Sequence, residues 1–222
     1  METTGALILA AGASSRFGCA KQFVTIHGQT MLARTVDAAS ECAPIIVVAG
    51  RDYRRIETEL KPTKASVVHH DQWERGMGSS IRVGLKCALD QQAELEALII
   101  MVCDQPCVTA EILADLRLCR EREGKPVVAS RYAGALGVPA LFASSLFPAL
   151  QSLPDGLGAK QIIAQMGNNV AQLAFPDGAT DIDTLSDYLE YLNHHQPPNV
   201  GVPLRPSATR GAINRHPVVA AG

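Results

Sequence analysis

The chain has 222 residues, 47% of them hydrophobic and 5% aromatic, with a formal net charge of −2, which is ample apolar material for one substantial core. The near-neutral charge gives no bulk attraction to nucleic acid or acidic membranes, so neither is expected as a partner. No apolar run approaches the ~20 residues of a bilayer span, and METTGALILAAG lacks the basic flank of a signal peptide, so the expected location is cytoplasmic.

In chain order, ALILAA (6–11) reads as a strand and TMLARTVDAASE (30–41) as a helix, with Leu32, Val36 and Ala39 on one face. PIIVVAG (44–50) is a β-branched strand ended by glycine. DYRRIETEL (52–60) is a polar-faced helix with Asp52 as its cap, and ASVVHH (65–70) a further strand. SSIRVGLKCAL (79–89) has helical spacing. ALIIMVCD (97–104) is the most apolar strand and belongs at the sheet centre. TAEILADLRLCRERE (109–123) opens with Thr109 as N-cap, and KPVVASR (125–131) is again a strand. After residue 131 come a glycine-rich turn or hairpin (YAGALGVPALF), two short helices (SSLFPALQSL and GAKQIIAQM), a strand (NVAQLAF) and a closing helix (DTLSDYLEYLNHH).

This alternation predicts an α/β fold, a Rossmann-like doubly wound, mostly parallel sheet with helices on both faces. It occupies residues 1–195. From Gln196 the chain has five prolines and no acidic or aromatic residue, so 196–222 is expected to be a disordered tail. The six cysteines form no C-x-x-C pair and are expected as reduced thiols, most of them buried as small hydrophobes.

In such sheets ligands sit outside the carboxyl ends of the strands, near the switch point. Two loops meet that condition. The first, LAAGASSRFGCAKQ, sets small residues beside Arg16 and Lys21. It is neither a Walker A loop nor G-x-G-x-x-G, and QFVTIHG after it alternates like a short strand, so no helix dipole is at hand. Backbone amides from Ala11 to Ser15, with the two cations, would have to hold a phosphate there. The plainer alternative is a turn with two solvated cations. The second loop begins with Asp104, a carboxylate at the end of the central strand, suited to Mg²⁺ or, alternatively, to capping the next helix.

Further along, Asp181 and Asp183 lie two apart, so in extended chain both point to one face, and one of them could meet Asp104; one of the two, or Thr184, could instead cap the last helix. GMGSSIRVGL offers first-turn amides and the hydroxyls of Ser79 and Ser80 for a base, ribose or phosphate, with simple capping as the alternative. Either pair, His69-His70 or His194-His195, could bind a metal, but both read as structural, because adjacent strand histidines diverge and a helix C-terminus favours His⁺ anyway. Trp73, just before the Gly-Met-Gly turn, reads as a packing residue, with covering a ligand as the alternative.

LAAGASSRFGCAKQ, GMGSSIRVGL, CDQP and DIDTLSDY, in this order, resemble the MobA-like nucleotidyltransferase family, closest to its molybdenum cofactor cytidylyltransferases, over about residues 5–194. The resemblance implies a fold of the nucleotide-diphospho-sugar transferase type and transfer of a nucleoside monophosphate to a phosphorylated acceptor, with release of pyrophosphate and use of Mg²⁺. It implies that Arg16 and Lys21 hold the triphosphate, catalysing with Asp104, and that Asp104 and Asp183 are metal ligands. The nucleotide-binding set it implies is Leu9, Ala10, Ala11, Gly12, Ser14, Arg16, Lys21, Gly78, Ser79 and Ser80. Ala11 stands where the guanylyl-transferring branch carries glycine, which points to CTP.

The chain departs from the pattern where the cytidylyltransferases usually have Gly-His-Pro and it has Gly137-Val138-Pro139. Lys160 in LPDGLGAKQII also stands in the place of an arginine, and KQF resembles the cytidylyltransferases of isoprenoid precursor synthesis. The expected reaction is CMP transfer from CTP to molybdenum-molybdopterin, with a molybdoenzyme or its chaperone as possible partner. The alternatives are cytidylyl transfer to a sugar, polyol or other small phosphate, a non-catalytic nucleotide-binding cofactor chaperone, or a structural domain whose basic tail (Arg205, Arg210, Arg215) recruits a partner.

Overall fold

The computed structural model describes residues 2–195 apart from Ala13 and Ser15. The expected tail, 196–222, lies outside the described residues. Strand β1 (Thr4–Ala10) leads through the small hairpin β2 (Thr25–Ile26) and β3 (Gln29–Thr30) to helix α1 (Met31–Ala38). Then β4 (Ile45–Ala49), α2 (Tyr53–Leu60), β5 (Ser66–His69), α3 (Met77–Gln91), β6 (Ala97–Val102) and α4 (Ala110–Glu123) alternate. A hairpin of β7 (Val127–Tyr132) and β8 (Ala135–Ala143) follows, then α5 (Phe147–Gln151), α6 (Ala159–Met166), β9 (Val170–Ala174) and α7 (Leu185–His194).

The seven-stranded sheet has the order β5-β4-β1-β6-β8-β7-β9. Only β8 runs against its neighbours, because the Ala133-Gly134 turn, both residues at positive φ, folds it straight back on β7. Alternation along the strands feeds two cores. Ala6, Ile8 and Ala10 face α1, α2 and α4, whereas Leu7 faces α3, α5 and α6. Helix α3 lies close on the sheet at Gly84, where a Cβ would meet Leu7 and Val48 side-chain carbons at 2.2 and 2.8 Å. A third, smaller core of Ile26, Met31, Ile182 and Tyr191 ties the β2–β3 hairpin to α7.

Strand β1 is flanked by β4 on one side and β6 on the other, so the chain changes direction of winding there. The loops after β1 and β6 therefore open into one crevice, as the sequence pattern predicts.

Several local expectations change. QFVTIHG is mostly not strand: Lys21–Phe23 form a 3₁₀ turn and only Thr25–Ile26 pair. Asp52 stands at the N-cap of α2 without a capping hydrogen bond, since its carboxylate accepts instead from Gln22 Nε2 at 3.1 Å. Thr109 likewise begins α4 without a side-chain cap. All six cysteines are free; Cys42, Cys103 and Cys119 are buried, while Cys19 is exposed. No helix among the described residues is long and apolar enough to cross a membrane.

Candidate active site

The loop after β1 turns back on itself at Ser14, which adopts φ 50°. The Ser14 carbonyl accepts from Phe17 N at 3.1 Å, and its hydroxyl accepts from Lys21 N at 3.2 Å. That fold-back drives the Lys21 side chain to the carboxyl end of β6. Its Nζ donates to Asp104 Oδ2 at 2.7 Å and to Asp183 Oδ1 at 2.8 Å. Arg16 reaches the other oxygen of Asp183 at 2.9 Å.

The D-I-D segment arrives there because Ile182 N donates to the Asp104 carbonyl at 2.9 Å while the Ile182 side chain is buried. Its two neighbours point away from that core, as the two-residue spacing predicts. Neither aspartate caps α7. Thr184 does so, in a capping box with Asp187, whose carboxylate also accepts from Asp183 N at 3.0 Å.

Burial by itself would lower the Lys21 pKa. The attraction and hydrogen bonds of Asp104 and Asp183 outweigh it, and the ammonium is held above its usual value. The hydrogen bond from Lys21, with Arg16 assisting, holds the Asp183 carboxyl below the usual carboxylate range. Asp181 behaves oppositely. Desolvation and repulsion from Asp104 and Asp183 push its pKa up to about 6.

Two abutting cavities flank this cluster. The first, about 440 Å³, is lined by Leu9, Ala10, Ala11, Gly12, Ser14, Arg16, Lys21, Ser80, Asp104 and Asp183 among the expected residues. Gly12 leaves its wall open, since a Cβ there would meet nothing within 4 Å. Gly78 and Ser79 fall outside the lining. The backbone of Pro154 and Leu157 packs on Gly78, where a Cβ would lie 2.1 Å from the Pro154 oxygen. The Ser79 hydroxyl donates to the Gly76 carbonyl at 2.7 Å and meets His70 Nε2 at 2.8 Å. In their place Gly76, Met77, Trp73 and Glu74 complete the cavity. Trp73 packs as well, its ring covering Gly50.

The second cavity, about 310 Å³, shares Leu9, Met77, Val102 and Asp104 with the first. Its own walls carry Gln105, Tyr132, Val138, Lys160 and Asp181. The two aspartates of D-I-D thus straddle Asp104, one in each cavity. The loop bearing Gly156 and Gly158 is pinned to the start of α3 because Asp155 accepts from Arg75 Nε at 2.7 Å and also pairs with Arg82.

The histidine pairs do not converge on a metal. His69 pairs with Asp71 while His70 turns inward to Ser79, and both His194 and His195 face the carbonyl one turn back. No group of three or more His, Cys, Asp or Glu side chains that could hold a metal ion occurs among the described residues. Asp104 and Asp183 are the carboxylates that could hold a divalent cation here, with the Lys21 ammonium now between them. A hard cation held there would take its other ligands from phosphate oxygens and water.

Residues 6–170 match the family model for the MobA-like NTP transferase domain. The chain belongs to that family. Among curated relatives of this MobA-like domain, the purine catabolism protein PucB of Bacillus subtilis strain 168 is 26% identical, covering 82% of this chain and 92% of its own. The nicotine blue oxidoreductase of Paenarthrobacter nicotinovorans is 28% identical, covering 84% and 95%. Rv0371c of Mycobacterium tuberculosis H37Rv, a solved structure, is 27% identical with a TM-score of 0.69, over 86% of this chain and 98% of its own. A second structure of Rv0371c is a complex with manganese, with a TM-score of 0.65 at 25% identity, over 86% and 98%. The MobA-like domain is thus a nucleotidyltransferase, and a metal-bound relative accords with use of a divalent cation.

Proposed function

We propose that the protein transfers CMP from CTP to a phosphorylated acceptor, of which molybdenum-molybdopterin is the first candidate, and releases pyrophosphate. The observation that carries this reading is the Lys21 ammonium bridging Asp104 and Asp183 where the two cavities meet. A triphosphate in the first cavity and an acceptor phosphate in the second would face each other across Asp104.

The acceptor's terminal phosphate is already anionic at neutral pH, so an oxygen of it attacks the α-phosphorus without a general base. The α–β phosphoanhydride bond breaks and pyrophosphate leaves. Lys21 neutralises charge developing on the leaving group, and Arg16, whose side chain is 71% exposed, takes the outer phosphates. The open wall at Gly12 lets the backbone of the loop approach the triphosphate. Asp104 and Asp183 are the residues that would hold Mg²⁺, which supplies charge neutralisation and orientation of phosphate oxygens when bound. Ser80, at the start of α3, contributes to the base and ribose side.

The preference for CTP rests on Ala11, by resemblance to the cytidylyl-transferring branch. The apolar floor of the second cavity, with Val138 in place of the usual histidine and Lys160 as its cation, supports a small phosphorylated acceptor. The test is pyrophosphate release from each ribonucleoside triphosphate with Mg²⁺, in the presence of molybdopterin-type or sugar phosphate acceptors. CTP-dependent release with the molybdopterin-type acceptor is expected. Release only with GTP, or only with a sugar or polyol phosphate, overturns the substrate assignment. Nucleotide binding without release overturns catalysis.

A further inference from the structure

We propose that Tyr188 is a positioning residue that holds the phosphate loop in register for the β- and γ-phosphates of the nucleotide; this rests on the nucleotide reading of the first cavity. Among the described residues of the loop between β1 and β2 there is one 3₁₀ turn, and the internal backbone hydrogen bonds are all short-range, from Phe17 N to Ser14, Phe23 N to Ala20 and Val24 N to Lys21. Turns closed by such short-range bonds are held in place by what packs on them from outside. Tyr188 touches both flanks of the loop's two cations. Its ring meets Phe17, the neighbour of Arg16, edge-on with centroids 6.3 Å apart. Its hydroxyl donates to the carbonyl of Thr25, four residues past Lys21, at 2.8 Å.

Tyr188 lies in the first turn of α7, whose capping box also fixes Asp183. One helix end therefore sets both the carboxylate and the loop that pairs with it. Phe17, Val24 and Tyr188 all pack on the small core of Ile26, Met31, Ile182 and Tyr191, so a shift of α7 is transmitted to the loop rather than absorbed. Tyr188 itself does not line the first cavity. Its effect on the nucleotide passes through Arg16 and Lys21.

The experiment measures binding of the triphosphate that the wild-type protein cleaves, and of the matching monophosphate, to wild type, Tyr188→Phe and Tyr188→Leu, with a thermal melt of each. Tyr188→Phe keeps the ring against Phe17 and loses one hydrogen bond, which guards against an unfolded variant. Triphosphate binding is expected to weaken about three- to tenfold in Tyr188→Phe, and further in Tyr188→Leu. Monophosphate binding should stay within about twofold, because it lacks the phosphates the loop holds. In an Arg16→Ala background the Tyr188→Phe effect should shrink, as coupled residues require. Unchanged triphosphate binding, or equal weakening of both nucleotides, overturns the inference while leaving the proposed function standing. A wild-type protein that neither binds nor cleaves any triphosphate overturns both.

Discussion

Replacing Lys21 by methionine keeps the stem and removes the charge. The side chain is 14% exposed, against 26% and 31% for Asp104 and Asp183, so the cluster is sheltered but not dry. A hydrogen bond to a charged group contributes about 1.5–3 kcal/mol, and partial exposure of the carboxylates screens it. A net destabilisation of about 1–2 kcal/mol, or about 2–8 °C in melting temperature, follows for a chain of this size. The effect on turnover is larger, because a preorganised cation facing developing charge is worth about 10²–10³ in rate.

The pH dependence has a definite sign. Asp183 is depressed in the folded state chiefly by Lys21, so its stabilisation is present above its unfolded value and lost as pH falls through the folded one. Lys21 is raised, so its contribution holds below its unfolded value of about 10.4 and is lost as pH rises through the folded one. The melting-temperature gap between wild type and Lys21→Met should form a plateau from about pH 4 to about pH 10 and narrow on either side. Pyrophosphate release and melts across pH test this. A Lys21→Met enzyme with turnover within about threefold of wild type would refute the reasoning, whatever its stability.

Chelation of divalent cations should abolish pyrophosphate release and Mg²⁺ or Mn²⁺ should restore it, whereas Asp104→Asn should stay inactive at every metal concentration; restored turnover there would remove Asp104 from the metal set. Asp181 has a raised pKa of about 6, so its contribution to stability is present below its unfolded value near 3.9 and is lost as pH rises through about 6. Asp181→Asn is therefore expected to melt about 1–3 °C higher than wild type at pH 7.5 and no higher at pH 4, the gain kept small by solvent screening. Gly78→Ala would drive a Cβ onto the Pro154 and Leu157 carbonyls at 2.1 and 2.8 Å, and is expected to lose about 1–3 kcal/mol by denaturant titration. Gly12→Ala meets nothing within 4 Å; it should leave stability unchanged and raise the nucleotide KM, and an unchanged KM would mean that the phosphates do not approach this backbone.

Much of the architecture was legible because it is written in local periodicity. The β-branched runs that became β4 and β6 and the spacing that became α3 and α4 need only nearest neighbours to be read. The glycine-rich segment after β7 reads only as a turn or hairpin, and the structure makes it a hairpin with β8. Caps were less legible. Asp52 and Thr109 have the right chemistry at the right place, yet in the fold Asp52 turns to Gln22, which no local rule reveals. Gly78 and Ser79 sit in a motif that looks like a ligand loop. The 154–158 segment packs over one, and His70 meets the hydroxyl of the other, so neither reaches the cavity. Trp73 and Met77 line the cavity; Met77 lies within the GMGSSIRVGL motif and Trp73 just before it, but the motif points to its glycines and serines rather than to these large side chains.

By itself the sequence determined the order of strands and helices, the two loops at strand ends, and the residue types able to handle phosphate: Arg16, Lys21, Asp104 and the D-I-D pair. Those properties depend on composition and short-range spacing. Only the tertiary structure decided that Lys21 lies between Asp104 and Asp183, residues 83 and 162 positions away. It also decided that Asp183 faces one cavity and Asp181 the other, with Asp104 on their shared wall. The physical reason is the winding of the sheet. With β1 beside β6, and Ile182 buried and hydrogen-bonded to the Asp104 carbonyl, two carboxylates far apart in the chain, Asp104 and Asp183, are brought onto one ammonium.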